Sequence, residues 1–281
     1  MCTIEIKNLK FGYRKNQNVL DGVDLSLEPG RIVGLLGKNG VGKTTLMQLM
    51  SGVLFPTQGT VTVLGREPCK REAECLSQLF MLPEEMPEVH LSIDKYMKIN
   101  APFYPDFSET DFVEYLREWE ITDLRQSLAK LSLGTRKKVF IAFAFAANTP
   151  LLVLDEPTNG LDIPSKTVLR KLLRIKASEN RLIVVSTHQV RDLKNILDAV
   201  VILDDTRVLL NADVERICDK LYFGIADGSE NPDEVLYSEP SVAGTQIVRP
   251  NRGGEECDVD VELLFNAAFN AKQKIMELFN K

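Results

Sequence analysis

Gly37, Gly42, Lys43 and Thr44 satisfy the spacing G-x-x-x-x-G-K-[ST] within Leu36-Gly37-Lys38-Asn39-Gly40-Val41-Gly42-Lys43-Thr44-Thr45. Glycines at those places let the backbone bend tightly around an anion, so that its N–H groups can cradle phosphate oxygens. The Lys43 ammonium would neutralise the outer phosphates and the Thr44 hydroxyl would meet Mg²⁺, with Asn39, Gly40 and Thr45 completing the loop. The competing reading is a glycine-rich turn that binds nothing. It is disfavoured by the context: an apolar run from Arg31 to Leu36 suits a buried strand before the loop, and Thr44 to Met50 reads as a helix after it.

Further stretches carry groups that a nucleotide-hydrolysing site needs. Leu151-Leu152-Val153-Leu154 ends in Asp155-Glu156. Asp155 would sit opposite Thr44 to hold a hydrated Mg²⁺, and Glu156 would reach a water lined up on the γ-phosphorus. Acids at a strand end can also be plain helix caps. Ser186-Thr187-His188 places a histidine directly after a buried strand, where Nε2 could contact the γ-phosphate or the ring could be structural. Leu131-Ser132-Leu133-Gly134-Thr135 opens a helix whose N-terminus, with Ser132 and Gly134, could approach another phosphate or serve only as a cap. Asn159-Gly160-Leu161-Asp162 follows the acidic pair. Tyr13, in Phe11-Gly12-Tyr13, could stack on an adenine ring or pack on a sheet edge.

The elements that must position these groups alternate. Ile4, Ile6, Leu9 and Phe11 open a β-rich start, Val23 to Glu28 alternates with period two, and Pro56 to Gly59 turns into a strand over Thr60 to Leu64. Leu79 to Leu82 is a short apolar strand. After it, Phe112, Tyr115, Leu116 and Trp119 fall on one helical face, a stripe expected to be core. Phe103, Tyr104 and Phe107 are either core or a partner-facing patch. Val139 to Ala147 is apolar all round, as in a buried helix, and Leu151 to Leu154 and Leu182 to Ser186 read as central strands. An amphipathic helix follows Pro164, and a hairpin crosses Asp204-Asp205-Thr206. This is an α/β layout with a mostly parallel sheet. Past about Ala212 the texture shifts to loops and short strand-like runs, closing on one helix from Val261 to Phe279.

The chain has 281 residues, with 34 Lys and Arg against 40 Asp and Glu, a net charge of -6. That balance argues against a general nucleic-acid binder, which needs excess cations for phosphate. Cys2, Cys69, Cys75, Cys218 and Cys257 lack paired metal or disulfide spacing, so a reducing cytoplasm is expected. The start alternates like a strand, so no secretory leader is expected. The longest apolar stretch, 139–154, is broken by Asn148-Thr149-Pro150 and falls short of the roughly 20 residues a bilayer span takes.

Together these motifs resemble the ATP-binding cassette (ABC) family over about Ile4 to Leu210. The resemblance implies a P-loop NTPase fold with a β-rich edge. An ATP-binding domain over 1–212 would hold a helical subdomain at about 85–147, and 213–281 would form a small α+β accessory domain. It implies ATP and Mg²⁺ as ligands, with Thr44, Asp155 and Glu84 around the metal and Glu156, His188 and Lys43 catalytic. It also implies a head-to-tail dimer with a second copy or a paralogue, in which Ser132 and Gly134 of one subunit close over Gly37 to Thr45 of the other and Asp162 lies in the loop linking the two sites. Tyr13 is then the adenine-stacking residue.

Two departures stand out. The signature is Leu-Ser-Leu-Gly-Thr rather than Leu-Ser-Gly-Gly-Gln, and Glu84 stands where the family usually has glutamine. The texture around Phe103 to Phe107 and the short carboxyl-terminal addition look like ATP-binding subunits of bacterial exporters of the ABC-2-like type. Those work on the cytoplasmic face with a separate transmembrane permease. The alternatives are a soluble cassette ATPase acting on ribosomes, DNA or iron–sulfur assembly, and a nucleotide-gated scaffold without turnover.

Overall fold

The computed structural model describes residues 3–279, apart from 16, 178–179, 194, 229 and 257; Cys2 and Cys257 therefore lie outside the described residues. In chain order the first elements are β1 (Ile4–Phe11), β2 (Leu20–Leu27), β3 (Arg31–Leu36), α1 (Lys43–Met50), β4 (Gln58–Val63), a single turn α2 (Ala73–Leu76) and β5 (Leu79–Leu82). Then come α3 (Ile93–Asn100), α4 (Glu109–Glu118), α5 (Leu133–Ala146), β6 (Leu151–Leu154), α6 (Ile163–Lys176), β7 (Leu182–Ser186), β8 (Ala199–Asp204) and β9 (Arg207–Asp213). The chain closes with α7 (Val214–Lys220), β10 (Leu221–Ile225), β11 (Tyr237–Ser241), β12 (Gly244–Pro250), α8 (Val261–Asn270) and α9 (Lys272–Phe279).

Among the described residues the central sheet has six strands in the order β5-β6-β7-β3-β8-β9, parallel throughout except for the β8–β9 hairpin. Its inner strands β3, β6, β7 and β8 read as nearly continuous apolar runs because both faces are covered, yet the pleat still sorts them. Val33, Leu35, Leu151, Val153, Val184 and Val201 enter one apolar cluster, shared with α1 and the antiparallel sheet β2-β1-β4. Ile32, Leu36, Leu152, Leu154, Val185 and Ile202 enter the other, shared with α4, α5, α6 and the tail. Every strand carboxyl end in the parallel part therefore opens on the same edge, where α/β folds bind ligands.

The stripe Phe112, Tyr115, Leu116 and Trp119 is buried, as expected. The helix at 139–147 begins earlier, at Leu133, because Ser132 caps it. Tyr104 and Phe107 pack on the Phe143 ring at 6.0 and 4.8 Å, whereas Phe103 is exposed, so that patch divides. The single closing helix is corrected: α8 and α9 are separate, and the chain leaves helical geometry at Ala271 (φ -125, ψ 44). Among the described residues, no disulfide joins Cys69 or Cys75.

Candidate functional site: a phosphate loop facing two buried carboxylates

The turn from β3 into α1 is built by glycine. Gly42 is the N-cap of α1 at φ 107, a left-handed conformation that side chains resist. A Cβ on Gly37 would lie 2.6 Å from Val41 Cγ1 and 2.9 Å from the Leu203 carbonyl oxygen. No side chain caps α1, while Ser92, Ser108, Ser132, Asp162 and Asp260 cap α3, α4, α5, α6 and α8. The first-turn N–H groups of α1 have no intrahelical acceptors and carry the positive end of the helix dipole.

A cavity of about 420 Å³ opens over that helix end, within the range of ligand clefts. Tyr13, Val19, Asn39, Gly40, Gly42, Lys43, Thr44, Thr45, Glu84, Asp155, Glu156 and His188 line it. Expected site residues from five separate segments thus share one space. Gly37 lines the adjoining cavity instead, and Ser132, Gly134 and Asp162 line neither.

The Thr44 hydroxyl donates to Asp155 Oδ2 at 2.7 Å, and the Ser186 hydroxyl donates to Asp155 Oδ1 at 2.5 Å. The Glu156 N–H in turn donates to Ser186 Oγ at 2.9 Å. Asp155 and Glu156 are 1% and 5% exposed, two adjacent carboxylates at the end of a strand buried on both faces. His188 Nδ1 lies 2.9 Å from Glu156 Oε1, so the ring meets the carboxylate through that nitrogen. Glu156 Oε2 is buried without a hydrogen-bond partner, and Glu156 itself adopts φ 44, a conformation that costs a non-glycine residue on the order of 1 kcal/mol.

Lys43 Nζ donates to the Gly37 and Lys38 carbonyl oxygens at 2.8 and 3.2 Å. Burial pushes its pKa down, against the opposing pull of Glu156, Asp155 and Glu84. Tyr13 is 61% exposed, held by a perpendicular ring contact with Phe11 and a 3.1 Å bond between its hydroxyl and Thr45 Oγ1. Glu84 Oε1 accepts from Asn159 Nδ2 at 2.9 Å, and Asn159 Oδ1 accepts from Gln189 Nε2 at 3.2 Å, which ties the Glu84 loop to the segment after β7.

Ser132 Oγ is the N-cap acceptor for the Thr135 N–H at 3.1 Å. Asp162 Oδ1 likewise accepts from the Ser165 N–H at 2.8 Å. The capping reading of the Ser132 motif is satisfied, Asp162 caps α6, and the two helix ends lie side by side: a Cβ on Gly134 would sit 3.0 Å from the Gly160 carbonyl oxygen. Two residues that touch the acidic pair had no role in the sequence reading. Ser186 appeared there only as a strand end, and Lys137 not at all.

An oxygen donor set of one hydroxyl and one carboxylate fits a hard divalent cation, and the orphaned Glu156 oxygen beside it fits a hydrogen-bond donor such as water. The bare helix end and the Lys43 ammonium fit a polyphosphate.

Comparison with known proteins agrees. The ABC transporter family matches over residues 20–159. The lantibiotic transport ATP-binding protein SrtF of Streptococcus pyogenes is 27% identical over 239 residues, 84% of this chain and 96% of that protein. The high-affinity zinc uptake system ATP-binding protein ZnuC of Bacillus subtilis is 32% identical over 218 residues, 73% of this chain and 92% of its own. A solved structure of an ATP-binding subunit of an ABC transporter superposes with a TM-score of 0.69 at 28% identity, covering 76% of this chain and 91% of that one. This chain therefore belongs to the ABC transporter family, as an ATP-binding subunit and an ATPase of the kind coupled to transport.

Proposed function

We propose that two copies of this chain, or one copy and a paralogue, clamp two Mg²⁺-bound ATP molecules head to tail and drive a separate transmembrane permease. The observation that carries this reading is a divided site. The phosphate loop, the acidic pair and His188 share one cavity, while Ser132, Gly134 and Asp162 lie outside it. Those three sit beside Leu133 and Ile163, which are 74% and 79% exposed. Exposed aliphatic side chains next to a phosphate-compatible helix end suit an interface with another subunit.

Thr44, Asp155 and the Glu84 loop would hold Mg²⁺, which when bound offsets the charge of the phosphates. Lys43 and the first-turn amides of α1 would orient the triphosphate, with Tyr13 under the adenine. Glu156 would take a proton from the attacking water, and His188, already against that carboxylate, would fix its direction.

The exposed Phe103 and Ile99 on the helical part support a docking face for a membrane partner. No helix among the described residues is long and apolar enough to cross a membrane; in this reading the permease supplies the span. Work at the cytoplasmic face is the matching location. Export is our reading of the direction, alongside the match to SrtF, named for lantibiotic transport, over 84% of this chain; the ZnuC match, over 73%, favours uptake as the second reading. Residues 1–212 would be the motor and 213–281 its accessory part.

Glu156→Gln tests the core of the proposal. Mg²⁺-ATP should still bind, turnover should fall by about 10²-fold or more, and light scattering should report a dimer at saturating ATP. A variant that stays monomeric with ATP bound overturns the clamp. Recovery of the chain from gently lysed cells with no membrane protein attached would favour a soluble cassette ATPase.

A further inference from the structure

Lys137 lies in the second turn of α5, five residues past the Ser132 cap, and is 5% exposed. Its Nζ does not meet a carboxylate. It donates to two backbone carbonyl oxygens, that of Glu156 at 2.7 Å and that of Asn159 at 3.0 Å. These carbonyls belong to one turn, which the Asn159 N–H closes onto Glu156 O at 3.2 Å. On the other side of the same Cα, the Glu156 N–H is held by Ser186 Oγ at 2.9 Å.

Glu156 is thus a left-handed residue gripped at both flanking peptide groups, from β7 on one side and from α5 on the other. A non-glycine residue keeps such a conformation only where its surroundings over-determine it. A buried ammonium is costly unless it is hydrogen-bonded, and for packing alone an aliphatic chain of the same length would serve. Lys137 is not among the residues that line the nucleotide cavity. The contact that remains is the backbone of the acidic pair.

We infer that Lys137 is a positioning residue for ATP hydrolysis. Its ammonium locks the Glu156 peptide in the left-handed conformation and thereby sets the direction of the Glu156 carboxylate, without touching nucleotide or water. The inference rests on the reading of Glu156 as the proton acceptor. It also gives the signature helix an effect within its own subunit: any rotation of the second turn of α5 moves the two carbonyls that Lys137 holds.

Lys137→Met keeps the length and the apolar stem and removes the donors; Lys137→Arg keeps donors that can reach both carbonyls. In the full chain with Mg²⁺-ATP, Lys137→Met should lower kcat by about 10- to 100-fold, the range that misplacement of a reacting group produces. The Kd for ATP should stay within about twofold, and Lys137→Arg should regain most of the lost kcat. Because Lys137 acts through one carboxylate, adding Lys137→Met to Glu156→Gln should leave the residual single-turnover rate unchanged.

A further drop in the double variant of the same size as in the single one, a parallel loss of ATP affinity, or a wild-type kcat in Lys137→Met overturns the inference. Should Lys137→Met not fold, Lys137→Gln, too short to span both carbonyls, takes its place; if neither melts above the assay temperature, Lys137 is a residue of stability and the inference is lost. Glu156→Gln alone separates the two claims. Wild-type turnover there removes the Glu156 reading, whereas an inactive Glu156→Gln beside an active Lys137→Met removes only this one.

Discussion

At the scale of single residues the site is a set of charges held ready for a ligand of opposite sign. Lys43 is closed onto the carbonyl oxygens of its own loop, contacts that a phosphate would replace with stronger, charge-assisted ones. Lys43→Ala should therefore weaken ATP binding by about 10- to 100-fold while leaving the melting temperature near that of the unmodified chain, as titration calorimetry and a thermal melt would report. The loop, Asp155, Glu156 and His188 were legible because their spacing or their place after an apolar strand is itself the signal. The nitrogen of His188 that meets Glu156 was not, since Nδ1 faces the carboxylate at 2.9 Å and the expectation concerned Nε2 and a phosphate. Lys137 and Ser186 were not legible either. Both act on the acidic pair across 19 and 30 residues of chain, and nothing in their own neighbourhood distinguishes a lysine that bonds backbone from one that faces water.

At the scale of elements the central strands could be read because four to six consecutive apolar residues bounded by turns leave few alternatives. Their division between two cores follows from the pleat alone. The break between α8 and α9 went unread for the opposite reason: Ala271 is a good helix former, with no glycine or proline to mark the end. The helical region is tied to α6 by Lys176, whose Nζ lies 2.6 Å from Asp111 Oδ2. Burial would raise the Asp111 pKa, but the Lys176 ammonium and the Ser108 and Tyr115 hydroxyls outweigh it and hold the carboxyl below its ordinary value. A carboxylate depressed in the folded state contributes stability that is fully present above its unfolded pKa and is lost as pH falls through the folded one. Asp111→Asn should thus cost about 1 kcal/mol at pH 7, and the gap to the unmodified chain should close below about pH 4 in denaturant titrations at stepped pH.

At the scale of the molecule the carboxyl-terminal segment, which its change of texture sets apart in the sequence, shares its apolar core with the residues before it. Leu264, Ala267, Ile275 and Phe279 lie in the same apolar cluster as Val190, Ile196, Leu210 and Ile217. Arg191 makes a two-pronged pair with Glu262, and the Lys38 ammonium sits 4.6 Å above the Phe269 ring. Ending the chain at residue 212 should lower the melting temperature by roughly 10 °C or more, since several side chains each worth about 1.5–3 kcal/mol would lose their cover. A truncated chain that melts where the whole one does would show that the tail is a passenger. The Lys38 contact also bears on protein engineering. Residue 38 is one of the unspecified positions of the phosphate motif, where a swap with a relative would pass for harmless. Here it is the point at which the motif grips the tail, so a chimera that grafts in a foreign loop would also loosen the far end of the polypeptide, and a compatible splice must carry both pieces together.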